Sequence, residues 1–290
     1  MIRLSNILHP IHFVNSLYKR ASTVSNKRIT KNYPDNIRRG RRDRCWCGGE
    51  LTLFKWHSSY GKCAECGCYV NMRPPLDEEM ARIYSINQCC DSRQKLKGGM
   101  TIEHRPGHII PNGQLEYWLG LIDRYSLFKG LVIEVGCGHG ILLVELNDRG
   151  YDCIGVEPDS QTAELTRHNT GLDIRPGFFP YVVLPKCDFF LAFDVIQKSS
   201  DPVAFMKRAG QLLNLGGIAI IQTPVEKNDD HPPFREMFDK VFDDLEHLYV
   251  FTKKSLGRLT ETANLQLIIE EGWDLSSEVV VLRKESIANE

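Results

Sequence analysis

Gly136, Gly138 and Gly140 stand at alternate positions directly after the apolar run Leu131-Val-Ile-Glu-Val135, and two acids accompany them. Glu134 lies inside that run, and Glu157 follows 21 positions after Gly136. Glycines at this spacing let the backbone turn tightly and come close to a bound molecule, because no Cβ stands in the way. The acids narrow the choice of molecule. An acid two residues ahead of the first glycine repels a pyrophosphate and pairs with a cation. An acid at the tip of the next strand, about 20 residues on, suits the two hydroxyls of a ribose. The pattern G-x-G-x-G also departs from the G-x-G-x-x-G of dinucleotide sites, where the third glycine packs helix on strand. A ligand that joins a ribose to a cationic amino-acid part satisfies both acids. A carboxylate embedded in an apolar strand is costly unless something pairs with it, which favours a functional role for Glu134.

A second constellation is made of thiols. Cys45-Trp-Cys-Gly-Gly49 and Cys63-Ala-Glu-Cys-Gly-Cys68 each place two cysteines just ahead of glycine, the arrangement in which backbone amides turn toward thiolates. Four thiolates close a tetrahedral structural zinc site that leaves no position for chemistry. The expected ligands are Cys45, Cys47, Cys63 and Cys66, with Cys68 and His57 in reserve. The alternative is a set of unrelated thiols, but so short a Gly- and Cys-rich piece needs a staple to fold. Ten cysteines in clustered spacings, with no signal peptide in view, favour metal binding and a reducing compartment over a disulfide framework.

The elements that hold these residues alternate. Leu115 to Leu127 has helical spacing. Strand Leu131–Val135 enters the glycine turn, and the apolar stretch from Ile141 forms the helix behind it. Strand Cys153–Glu157 leads to a helix capped by Asp159, then to a short strand around Leu172–Arg175. Strand Cys187–Phe193 ends at Asp194. A helix from Pro202 to Leu213 follows the cap Asp201, with proline at its first position, and Asn214-Leu-Gly-Gly217 feeds strand Ile218–Thr223. Strands and helices in alternation make a doubly wound, mostly parallel α/β sheet, with ligands at the carboxyl ends of its strands. Gly136, Glu157, Asp194 and Thr223 all reach that rim.

Glu134-Val-Gly-Cys-Gly-His-Gly140 resembles the first motif of the class I S-adenosylmethionine-dependent methyltransferases, whose cofactor is a sulfonium joined to an ammonium and a ribose. Four further segments extend the resemblance in order. Val156-Glu-Pro-Asp159 is similar to the ribose-binding strand end. Phe193-Asp-Val-Ile-Gln-Lys-Ser-Ser-Asp-Pro202 is similar to D-V-L-E-H-V-x-D-P, and Leu213-Asn-Leu-Gly-Gly217 to L-K-P-G-G. Glu246 to Leu256, then Leu259 to Leu265, resembles the lead into the last helix and strands. The resemblance covers about residues 115–285 and implies a seven-stranded Rossmann-like sheet. It implies S-adenosylmethionine contacts from Glu134, Gly136, Cys137, Gly138, His139, Gly140, Glu157, Pro158, Asp194 and Val195. By the same resemblance, an N-terminal thiol-pair module recurs in methyltransferases of small-molecule or sugar metabolism. Where the family often carries an acid and a histidine, this chain has Gln197 and Lys198, which removes the usual base. The candidates left for a base or acceptor contact are His231 and His247, both after the fifth strand, on the side where the family places its acceptor.

Composition bounds the partners. Eleven of the 36 Lys and Arg, but only two of the 37 Asp and Glu, fall in residues 1–44, so the remainder is acidic and poorly suited to a polyanion as main substrate. Residues 1–44 read as a basic, flexible arm, with a mitochondrial transit peptide or a membrane-surface segment as alternatives. No run approaches the ~18 apolar residues of a membrane span. The expected organisation is an arm over 1–44, a zinc-ribbon-like module over 45–76, a linker or lid over 77–114 and a methyltransferase domain over 115–290. The expected function is methyl transfer to a small-molecule acceptor, at oxygen, with a sugar, glycan precursor or secondary metabolite as leading class, in the cytoplasm. An RNA methyltransferase that uses arm and zinc module, and a non-catalytic zinc-bearing scaffold, are the rivals.

Overall fold

In the computed structural model, residues 36–55, 57–84, 113–226, 244–272 and 277–285 are described. His231, His104, His108 and the pair Cys89-Cys90 lie outside the described residues. Among the described residues, seven strands form the doubly wound sheet: β4 (Leu131–Val135), β5 (Asp152–Glu157), β6 (Asp173–Pro176), β7 (Cys187–Phe193), β8 (Leu213–Glu226), β10 (Gln266–Gly272) and β11 (Ser277–Arg283). Their order is β6-β5-β4-β7-β8-β11-β10. The pairs from β6 to β8 are parallel, and β11 runs antiparallel between β8 and β10.

Alternation along the strands sorts the core into two faces, as a sheet covered by helices on both sides requires. Ile133, Val135, Phe190, Ala219, Ile221 and Val280 pack with Phe205, Met206 and Ala209 of α5 (Pro202–Leu212) and with Leu256 and Leu259 of α6 (Lys253–Glu261). Val132, Phe189, Leu191, Ile218, Ile220 and Val279 pack on the other side. There they meet α2 (Gln114–Tyr125), α3 (Ile141–Asp148) and Ala163 of α4 (Ser160–Thr170). Asp159 caps α4 by accepting from the Thr162 amide at 2.9 Å, and Asp201 caps α5 by accepting from Ala204 at 2.8 Å. α2 stops short of the expected Leu127. Its buried face ends at Ile122, Ser126 turns to extended backbone, and Leu127 is 97% exposed.

The sheet does not end at β8. Beyond the stretch paired to β11, Val225 and Glu226 pair in parallel with Phe251 and Thr252 of β9 (Tyr249–Thr252). β9 pairs in turn with β3 (Tyr69–Asn71), and β3 with β2 (Tyr60–Cys63) and β1 (Leu51–Leu53). The cysteine-rich module is thus an extension of the domain's sheet, grafted at the carboxyl end of β8. Residues 36–44 also lie against it: Arg39 bridges Pro75, and the Gly40 amide donates to Pro74. A helix, α1, covers residues 77–84, and its Met80 and Ile83 pack on Leu245. Among the described residues no helix is long and apolar enough to cross a membrane.

Candidate functional site

The glycine turn is held by β5. The amides of Gly136 and Cys137 donate to the Val156 carbonyl at 2.8 and 3.2 Å, and Gly140 closes the turn on Cys137 at 2.9 Å. Glu157 splits its carboxylate between two amides, Gly138 at 3.0 Å and Asp159 at 3.0 Å, so one buried acid fixes both the glycine turn and its own strand end. Gly136, Gly138 and Gly140 all adopt positive φ, at 74°, 54° and 69°. At Gly136 a Cβ would also meet Val195 Cγ2 at 2.6 Å, whereas at Gly138 it would meet open space.

Glu134 and Glu157 are 7% and 3% exposed. Burial, with the neighbouring Glu157 charge, pushes Glu134 up to about 8. Burial also raises Glu157, against the two amides that favour its charge. Glu134 Oε2 has no hydrogen-bond partner. A buried acceptor without a donor is a standing cost that a cationic ligand would relieve. The structure thus places Gly136, Cys137, Gly138, His139, Gly140, Glu157 and Pro158 on one continuous rim. Across the end of β7, Asp194 takes a left-handed conformation with φ 58°, a strain of about 1–2 kcal/mol for an L residue that the surroundings must hold. The hold comes from β8: Asp194 N donates to Gln222 O at 2.9 Å, and Gln222 Nε2 donates to Asp194 Oδ2 at 3.3 Å. Trp118 Nε1 donates to Gln222 Oε1 at 2.9 Å and stacks on Phe193, centroids 4.1 Å apart.

Sequence reasoning missed that Trp118–Gln222–Asp194 relay, although a lone glutamine inside Ile218-Ala-Ile-Ile-Gln-Thr223 was a visible signal. It also missed a polar group beyond β7. Gln197, 1% exposed, accepts from Thr223 Oγ1 at 3.1 Å, while its Nε2 has no hydrogen-bond partner. Lys198 pairs with the buried Glu246 at 3.3 Å. Tyr84 of α1 is half-buried, and desolvation together with the charges of Glu246 and Glu157 raises its hydroxyl above the ordinary range. His247, adjacent to Glu246, is half-buried, and its main-chain carbonyl accepts from Tyr60 Oη at 2.6 Å.

The sulfur atoms of Cys45, Cys47, Cys63 and Cys66 lie within 4.8 Å of one another. Cys45 and Cys66 are 3.6 Å apart, and Cys47 and Cys63 are 3.5 Å apart. A Cβ on Gly49 would come within 2.6 Å of Cys63 Sγ, so glycine is required where the knuckle wraps its thiol. The contact between Cys45 and Cys66 pulls the Cys66 thiol below the usual range and pushes the Cys45 thiol up. The donor set suits zinc: four soft ligands converging from two turns. Cys68 is fully buried beside the four, its thiol directed at the carbonyls of Tyr69 and Val250 at 3.5 Å. His57 sits apart in a local turn, its Nδ1 accepting from the Ser59 amide at 3.2 Å.

Comparison with known proteins places this geometry in a family. Residues 113–270 match the model described as Methyltransferase domain. Ubiquinone biosynthesis O-methyltransferase of Azorhizobium caulinodans is 31% identical over 111 residues, 35% of this chain and 44% of that protein. Its namesake from Caulobacter vibrioides is 30% identical over 105 residues, 33% of this chain and 42% of that protein. The matched stretch thus spans less than half the length of these curated relatives. The crystal structure of an S-adenosylmethionine-dependent methyltransferase from Clostridium acetobutylicum ATCC 824 superposes with a TM-score of 0.51. At 11% identity it covers 69% of this chain and 99% of its own, a likeness of fold. The family match takes in the glycine turn, both acids, the β7 and β8 strand ends and α6, more than half of the chain, and so this chain belongs to the Methyltransferase domain family, with the class I S-adenosylmethionine-dependent fold.

Proposed function

We propose that this protein transfers the methyl group of S-adenosylmethionine to an oxygen of a small-molecule acceptor. The observation that carries the cofactor half is Glu134, a buried carboxylate whose Oε2 has no partner, directly ahead of three left-handed glycines. When bound, S-adenosylmethionine supplies an electrophilic methyl on a sulfonium, ready for in-line displacement. The chain's own residues do the rest. Glu134 holds a cationic amino group, and the Gly136–Gly140 backbone admits close approach. Glu157, with Pro158 beside it, holds the ribose. Asp194 and Val195 border the site from the end of β7. On the acceptor side, His247 and His231 are the proposed base or acceptor contacts, and packing of Met80 and Ile83 of α1 on Leu245, next to Glu246, supports water exclusion there.

Oxygen as target is supported by the names of the two curated relatives, both O-methyltransferases. A sugar, glycan precursor or secondary metabolite is the proposed acceptor class. We assign structural zinc to Cys45, Cys47, Cys63 and Cys66, and a reducing, cytoplasmic setting to match. The proposed organisation keeps a zinc module over 45–76, a linker over 77–114 and the methyltransferase domain over 115–290, with 1–44 as a basic arm. RNA is disfavoured because arginines near the end of that arm are already engaged: Arg38 with Glu78 and Glu79, Arg39 with Asp244, and Arg42 over the Tyr249 ring. Calorimetric titration with S-adenosylmethionine and S-adenosylhomocysteine tests the reading. Binding by the wild type that collapses in Glu157→Ala supports it, and no binding by a folded, metal-loaded protein overturns it.

A further inference from the structure

The thiol module grips the acceptor side of the sheet at several points. Thr252 Oγ1 donates to the Cys66 carbonyl at 3.3 Å, and Lys254 Nζ donates to the Glu65 carbonyl at 2.8 Å, both on the second knuckle. Asn71, at the end of β3 and fully buried, holds the segment just ahead of β9: its Nδ2 donates to Asp244 O at 2.6 Å and its amide to Leu248 O at 2.9 Å. Tyr60 Oη donates to His247 O at 2.6 Å. The Leu248 amide then donates to Gln197 O at 2.9 Å, inside the 3-10 turn Ile196–Lys198 at the end of β7. A continuous path therefore runs from the cysteines through Asn71 and Leu248 to Gln197, and Gln197 Oε1 ends it on Thr223. The glycine rim is held differently, by Val156 and Glu157 within the β4–β5 unit.

Residues 244–248 form turns with no helix or strand of their own. Their order depends on what they are bonded to, and much of that is the module. The module's strands are three, four and three residues long, too short to persist without a staple. In such modules metal binding is folding free energy. We propose that metal occupancy of the four thiols controls the order of the acceptor-side wall, residues 244–252 with the turn Ile196–Lys198, while the cofactor rim forms without it. This rests on the zinc assignment above. The metal thus acts on acceptor binding from a site that touches no substrate, and Asn71 is the positioning residue that transmits its effect.

Hydrogen exchange on the full chain tests this, with zinc loaded and after removal by a chelator, beside titration with S-adenosylhomocysteine. On metal removal the amides of Asn71 and Leu248 should exchange about tenfold faster or more, as local opening of the seam requires. The amides of Gly136 and Gly138 should keep their protection, and S-adenosylhomocysteine affinity should change by less than about threefold, under 1 kcal/mol. Asn71→Ala should give the same deprotection at Leu248 with one metal still bound. Tyr60→Phe, which deletes only the hydroxyl to His247, should do so more weakly. Unchanged exchange at Leu248 in the metal-free protein overturns the coupling, as does parallel loss at Gly138 and in cofactor affinity. Failure of the chain to hold zinc even after reconstitution overturns the metal assignment and the coupling with it. Loaded protein that shows the seam response but binds no S-adenosylhomocysteine counts against the methyl-transfer reading alone.

Discussion

The glycine rim and the thiol seam solve the same problem, holding a loop in place, with opposite means. The rim is local. Gly136, Gly138, Gly140, Glu157 and Asp159 fall within 24 consecutive residues, and their bonds reach no further along the chain than Thr166 of α4 and Gly177. The seam is long-range. Asn71 to Asp244 spans 173 positions, Tyr60 to His247 187, and Lys254 to Glu65 189. A local loop forms with the unit that carries it. A loop tied across most of the chain must wait for both ends, and its closure entropy has to be offset by something strong. Four thiolates on the proposed metal would be a strong offset, whereas the rim is held by backbone bonds, one acid and Thr166.

That contrast predicts a ranking of perturbations. The largest effect is expected from Cys63→Ser, which keeps the size of the side chain but loses the soft donor. Metal content should fall well below one per chain, and the melting temperature should drop by roughly 10 °C, as for a loss of several kcal/mol in a domain of this size. S-adenosylhomocysteine affinity, measured below the new melting point, should stay close to the wild-type value. If it collapses in step with the metal, the two regions are one cooperative unit.

Gly136→Ala strikes the rim in its fold. The left-handed φ costs about 1–2 kcal/mol for alanine, and the 2.6 Å approach to Val195 Cγ2 adds overpacking of about the same size. Denaturant unfolding should show a loss of about 3 kcal/mol with metal content unchanged.

Glu134→Gln probes the same rim through charge. The buried carboxyl sits at about 8 in the folded protein against 4.5 for the free side chain, so the fold holds this proton more tightly than the unfolded chain does. The stability it contributes is full below about pH 4.5 and is lost as pH rises through about 8, by at most about 1.4 kcal/mol per pH unit. A cationic ligand reverses the preference by favouring the carboxylate. Cofactor binding near pH 7 should therefore release a proton and tighten as pH rises toward 8. The glutamine variant should lose the proton release and about tenfold in affinity, and be more stable than wild type at pH 8. Calorimetry in two buffers of different ionisation enthalpy reads the proton directly.

The same contrast explains what could be read from the residues in order. Strand, glycine turn, acid and helix cap lie next to one another in the chain, so Leu131–Val135, Cys187–Phe193, Asp159 and Asp201 fall where spacing puts them. The convergence of Cys45, Cys47, Cys63 and Cys66 was legible because paired cysteines beside glycine leave few geometries. The graft of β3 onto β9 was not, since no periodicity in Tyr69-Val-Asn71 says that its partner is Tyr249-Val250. Gln197 and Lys198 showed only as departures from a family pattern. That Lys198 meets Glu246, and that Leu248 hangs from Gln197, are products of tertiary packing alone.

Gly138→Ala gives the smallest change in stability and separates ligand from fold. Its φ of 54° is as left-handed as that of Gly136, yet a Cβ there would meet nothing within 4 Å. Alanine then bears only the backbone cost of about 1–2 kcal/mol, partly offset by the 0.4–1 kcal/mol that loss of glycine's freedom in the unfolded chain returns. The net should be about 1 kcal/mol or less, a melting shift of roughly 2–4 °C. The amide donated to Glu157 is retained, so the turn itself survives. Open space above a glycine in this turn is where a ligand would lie, so S-adenosylhomocysteine affinity should fall several-fold while the seam and its metal stay intact. Lowered stability with unchanged affinity would instead place the ligand away from Gly138 and leave the turn a purely structural device.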